Sequence, residues 1–220
     1  MRTRDRIALL PVVLLFLLLA VIPASAQIIY SNGPINGTTD AWTINFGYVV
    51  SDTFTLSSYA WVQGFDFGVW EFPGDVLSSV DWSITSAENG GTTYGSGTAS
   101  GVNLTDQFIS SNQYGYNIDK ITVSGLNVPL NADTYWLNLQ NAAVSSGDPV
   151  YWDENSGPSQ ASESAVGTIP SEAFDVSGGC TCCGNHDAPD CGPPTPEPSS
   201  ILLFGSGIVG LAGLLRRKLF

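Results

Sequence analysis

Between Ala41 and Gln140 apolar and polar residues alternate again and again with a period of two. That is the repeat of a β-strand with one face buried and the other wet. Ala41-Trp-Thr-Ile-Asn-Phe46, Thr53-Phe-Thr-Leu56 and Val80-Asp-Trp-Ser-Ile84 all follow it, and Tyr135, Leu137 and Leu139 alternate with Trp136, Asn138 and Gln140. Within Ala60–Phe72 the same rule puts Trp61, Gln63, Phe65, Phe67 and Val69 on one face. Tyr114, Tyr116, Ile118 and Lys120 form another set, which Ile121-Thr-Val123 continues in changed phase. Turn-forming residues separate these stretches: Asn32-Gly-Pro34, Pro73-Gly74, Asn89-Gly-Gly91, Asn131-Ala-Asp133 and Gly147-Asp-Pro149. No strand–helix alternation intervenes, which disfavours a parallel α/β enzyme fold. The pattern predicts an all-β domain, an antiparallel β-sandwich of jelly-roll type, over residues 27–178.

Charge narrows the function. Between Gln27 and Glu197 nineteen acids face a single basic residue, Lys120, a net charge of −18. Such a body repels phosphate backbones, so no nucleic-acid partner is expected. The acids are scattered singly, as on a solvated surface, and no cofactor is required by them. The six tryptophans and many other aromatics are too much apolar matter for a disordered chain.

The two ends carry the remaining basic residues and read as addresses. In residues 1–26, Arg2, Arg4 and Arg6 precede the apolar Ile7–Ile22, and Ala24-Ser25-Ala26 is a small-x-small cleavage site. This is a secretory signal peptide, and it implies signal peptidase and the export machinery as partners. Residues 179–195 form a linker rich in Cys and Pro, whose prolines keep it extended. Residues 196–220 combine Pro196-Glu197-Pro198, an apolar stretch at 199–215 and the basic Arg216, Arg217 and Lys218. Seventeen helical residues reach about 26 Å, the short end of a membrane span. The basic end holds its side of the span in the cytoplasm and leaves the body outside.

Pro196-Glu197-Pro198 followed by a Gly-containing apolar helix and a basic end resembles the PEP-CTERM sorting tail of exported bacterial proteins. The resemblance implies that the tail sits transiently in the inner membrane and is cut near its PEP motif by an exosortase, a membrane-embedded cysteine protease. It further implies a final place at the cell surface or in the extracellular matrix, in bacteria that make exopolysaccharide. It implies nothing about the activity of the body.

Catalytic chemistry is thinly supplied. His186, the lone histidine, lies beyond the last expected strand, and no nucleophile elbow, P-loop or dinucleotide fingerprint occurs. Carboxylate pairs such as Glu71 with Asp81, or Asp153 with Glu154, fit a glycosidase in residue type only. The expectation is a protein that is not an enzyme. The most distinctive segment is Tyr151–Pro158, where Tyr151 and Trp152 stand beside Asp153 and Asn155. Aromatic faces of that kind stack on sugar rings, while Asp and Asn bind hydroxyls or a Ca²⁺ ion. Against this lectin-like reading stands a structural one, in which Tyr151 ends a strand and Trp152 packs at the sandwich rim. Cys180, Cys182, Cys183 and Cys191 cluster in the linker. In an exported chain they suggest two disulfides, such as Cys180 with Cys183 and Cys182 with Cys191. Zinc with His186 is an alternative, though the spacing fits no common zinc signature.

Overall fold

The computed structural model describes residues 27–179, and these residues are all-β. The expected signal peptide, the four cysteines and the whole sorting tail lie outside the described residues. Thirteen strands follow in order: β1 (Gln27–Ser31), β2 (Ala41–Thr43), β3 (Val49–Thr55), β4 (Ala60–Glu71), β5 (Ser79–Ala87), β6 (Gly90–Ser100), β7 (Leu104–Ser111), β8 (Asn117–Leu130), β9 (Thr134–Ala143), β10 (Tyr151–Asp153), β11 (Ala161–Glu163), β12 (Gly167–Ile169) and β13 (Phe174–Gly179). Among the described residues the helical element is a single 3₁₀ turn, Gly101–Asn103. No described helix is long and apolar enough to cross a membrane.

All pairings are antiparallel and build two sheets. In the first, β7 pairs with β8 and β8 with β4. The far edge of β4 is shared end to end by β13 and β10, with β1 beyond β13 and β2 beyond β10. The second sheet runs β12-β11-β3-β9-β5-β6. Their facing side chains form one core. Val62, Phe65, Phe67, Val69, Ile121, Val123 and Trp152 come from the first sheet, and Val50, Phe54, Val80, Ile84, Leu137 and Leu139 from the second. Phe65 and Trp82 meet edge-on between the sheets, with ring centroids 6.2 Å apart. Each large apolar side chain removed from water contributes roughly 1.5–3 kcal/mol, so this core carries the fold.

Two strands depart from simple alternation. Register between β4 and β8 shifts between Val62 and Gly64, and the phase of β4 shifts with it. Val62 therefore shares the core with Phe65, Phe67 and Val69, while Trp61 and Gln63 are half-buried on the other side. The sequence-based grouping of Trp61 and Gln63 with Phe65 is corrected by this irregularity. In β8 the changed phase has a different origin, because both of its faces are covered. Ile121 and Val123 point into the core, whereas Ile118 is buried on the outer face beneath the loop that carries Gly37.

Candidate functional site

Tyr151–Asn155 is a structural clamp rather than an open loop. Strand β10 alternates, so Trp152 faces the core and Asp153 the outer side of the sheet. Trp152 is 0% exposed, packs edge-on against Phe67 and Phe174, and donates its indole N–H to the Ala173 carbonyl at 3.0 Å. No face of that ring is offered to a sugar. The Asp153 carboxylate accepts the Trp70 indole N–H at 2.6 Å and the backbone N–H groups of Asn36 and Gly37 at 2.8 and 3.0 Å. Glu154 accepts the Trp42 indole N–H at 3.0 Å. Asn155 donates to the Asn32 carbonyl and accepts from the Gly157 N–H. Tyr151 is half-buried and edge-on to Tyr116. This burial and bonding weigh against the sugar- or Ca²⁺-binding expectation for Tyr151, Trp152, Asp153 and Asn155 and favour the structural one. The polar atoms of Asp153 and Asn155 tie residues 32–37 to the sheet, and Trp152 goes deeper than the rim.

A different set of acids converges at the end of the first sheet. Glu71 closes β4 with the core parity of Phe65, Phe67 and Val69. Val69 lies opposite Asp119 of β8, and Ile121 lies opposite Asp106 of β7. Glu71, Asp119 and Asp106 thus occupy diagonal positions on one face of three adjacent strands, within side-chain reach. One oxygen from each carboxylate lies within 4.8 Å of the others. Glu71 and Asp119 are buried and Asp106 is half-buried.

The loop after β4 folds over this cluster. Phe72-Pro-Gly-Asp75 is a tight turn closed by the Asp75 N–H on the Phe72 carbonyl at 3.0 Å. Gly74 has φ +99°, which the third residue of such a turn requires and a side chain resists. Beyond the turn, the Leu77 N–H donates to Asp106 at 2.7 Å. Both oxygens of Glu71 and Oδ2 of Asp75 are buried without a hydrogen-bond partner.

Electrostatics follow from this crowding. Burial first, then Asp106, Asp119 and Asp75, push the Glu71 carboxyl up to about 8. Burial and Asp106 push Asp119 up to about 6. Asp106 is raised by burial against the opposing effect of the Leu77 N–H. Oxygen donors without histidine or cysteine suit a hard cation. The carboxylate pairing of Glu71 with Asp81 is not formed: Asp81 lies on β5 in the other sheet, held by Asn141 and Thr98. Asp106 and Asp119 escaped sequence reasoning although a signal was present. Each sits at a core-parity position, in Leu104-Thr-Asp106-Gln-Phe108 and in Asp119-Lys-Ile121-Thr-Val123.

A second group of acids lies where β11 and β13 approach β3. Asp52 points inward, accepting the Asn32 amide at 3.1 Å and the Glu172 backbone N–H at 2.7 Å. Burial pushes it up to about 6. Glu172 is also buried, and neither of its carboxylate oxygens has a hydrogen-bond partner. Burial, and after it Asp52, Glu154, Asp153 and Asp40, hold Glu172 well above the usual carboxylate range.

Comparison with known proteins adds one finding about the C-terminus. Residues 194–218 match a family model described as the PEP-CTERM protein-sorting motif. No curated protein matches the chain.

Proposed function

We propose that this bearer of a PEP-CTERM sorting motif is a non-enzymatic exported protein of the cell surface or extracellular matrix, cut at its tail by an exosortase and associated with exopolysaccharide. The motif at residues 194–218 carries the reading. It spans Pro196-Glu197-Pro198, the apolar stretch and Arg216, Arg217 and Lys218, the parts that a membrane-held, processed tail requires. The body suits such a destination. Its charge of −18 between Gln27 and Glu197 favours hydration and cations, as an acidic component of a wet matrix would. Residues 27–179 contain no histidine, the commonest general base. The carbohydrate-binding alternative at Tyr151–Pro158 loses its support with the burial of Trp152.

Fractionation of a chain tagged at both ends tests the sorting claim in the native host, with and without its exosortase. The expected result is loss of the C-terminal tag from the surface or released fraction only when the exosortase is present. A full-length chain that keeps its C-terminal tag in the competent cell refutes processing.

A further inference from the structure

We propose that Glu71, Asp106 and Asp119 form a Ca²⁺ site, with Asp75 on the covering loop as a fourth carboxylate. Three independent features point to a cation there. The first is geometric. The three carboxylate oxygens lie within 4.8 Å of one another. Ca²⁺ takes oxygen ligands at about 2.4 Å, so one ion reaches oxygens up to about 4.8 Å apart.

The second is an unmet need. Glu71 is 0% exposed, one of its oxygens lies in the cluster, and neither oxygen has a donor. Buried carboxylates ordinarily find donors or counter-ions, because a stranded charge is costly. Asp75, near enough to act on Glu71 electrostatically, has a buried oxygen in the same state.

The third is the lack of any internal cation. Lys120 is the sole lysine or arginine between Gln27 and Gly179. It lies on the opposite face of β8, 2.8 Å from Asp66. The described chain therefore supplies no positive group to the cluster. The oxygen-only donor set selects a hard ion, and carboxylates drawn from three strands and a loop suit the irregular coordination of Ca²⁺ better than the strict octahedron of Mg²⁺. A bound ion fastens the ends of β4, β7 and β8 to the turn at Phe72–Asp75.

The test is calorimetric titration and thermal unfolding of the full-length chain in detergent, stripped with EDTA and then given CaCl₂ or MgCl₂. Wild type should bind Ca²⁺ at one site and melt several degrees higher at about a hundred times Kd, with a much smaller response to Mg²⁺. Glu71→Gln should lose at least about tenfold in Ca²⁺ affinity, because it removes one of the ligating carboxylates. Asp106→Asn, at a half-exposed position that tolerates change, should weaken binding by a similar factor. Asp81→Asn, on the other sheet, should leave binding unaltered. No Ca²⁺-dependent shift in wild type means that protons neutralise the cluster, and it overturns the proposal. So does undiminished binding in both Glu71→Gln and Asp106→Asn, and an equal response to Mg²⁺ overturns the choice of ion.

Discussion

Asp119 and Lys120 are consecutive residues whose charges never meet, because the pleat of β8 turns Asp119 inward toward Glu71 and Asp106 and Lys120 outward to Asp66 at 2.8 Å. In a body with one lysine, that division decides where charge is neutralised. The outer face keeps an ion pair that water already screens. The inner face keeps carboxylates that water reaches poorly, and the acids at Asp52 and Glu172 repeat the arrangement elsewhere in the sandwich.

Those last two acids predict an unusual pH dependence. Asp52 titrates at about 6, and Glu172 is held above the usual carboxylate range. The folded chain therefore binds more protons than the unfolded chain from about pH 4 upward, and stability falls as pH rises through that window. Glu172 is faced by Asp52, Glu154, Asp153 and Asp40, all acids, so nothing offsets its charge. Glu172→Gln should raise the melting temperature near pH 8 and change it little near pH 4. Melting curves in EDTA across that range check it, and equal shifts at both ends would refute the assignment.

Asp153→Asn should cost about 1.5–3 kcal/mol, the usual loss when a charged acceptor of several buried donors becomes neutral. Its carboxylate holds Trp70, Asn36 and Gly37 together. Trp152→Ala should cost more, about 3–5 kcal/mol, through the cavity left in the core. Denaturant unfolding measures both. If the second variant were as stable as wild type, the burial of Trp152 would be wrong.

How much of this was legible in the sequence depended on water. Phe54, Val80, Ile84, Leu137 and Leu139 alternate with polar residues that point away from the core, and four of the five turn signals fall between strands, the fifth, Asn89-Gly-Gly91, running into β6. Strand β6 gave no such sign. It lies at a sheet edge, Ala99 is its one buried residue, and its Gly, Ser and Thr leave no periodic trace. The acid cluster was half legible. Parity along each strand marks Glu71, Asp106 and Asp119 as inward-facing, but their meeting depends on β7, β8 and β4 being neighbours. That order is fixed by pairings distant in the chain, on which local pattern is silent.

Gly68 shows the same dependence on distant parts of the chain. A Cβ there would lie 2.7 Å from Cγ2 of Ile35 and 3.0 Å from Cβ of Asp153, both on the outer face of β4. Gly68→Ala should therefore destabilise the chain by about 1–3 kcal/mol through overpacking, although alanine ordinarily favours a strand interior over glycine. Gly47→Ala probes φ without contact, since nothing lies within 4 Å of its Cβ position and its φ is +88°. A smaller loss at Gly47 than at Gly68 would show that close approach outweighs backbone strain here. The reverse order would refute the packing of residues 34–37 on β4.

The tail yields the last prediction. Arg216, Arg217 and Lys218 stand directly after the apolar stretch at 199–215, where basic residues resist transfer across the bilayer. Without them, that stretch is short for a span and holds four glycines, which makes its hold on the membrane marginal. Replacing all three by Ser should let uncleaved chain pass outward, so that full-length protein bearing its C-terminal tag appears in the medium. On the proposed function, in which the tail is held in the membrane while an exosortase cuts near Pro196-Glu197-Pro198, exosortase-dependent loss of the tag should fall in parallel. Immunoblots of cell and medium fractions read both quantities. Processing at the wild-type rate in the Ser variant would show that the apolar stretch alone holds the tail.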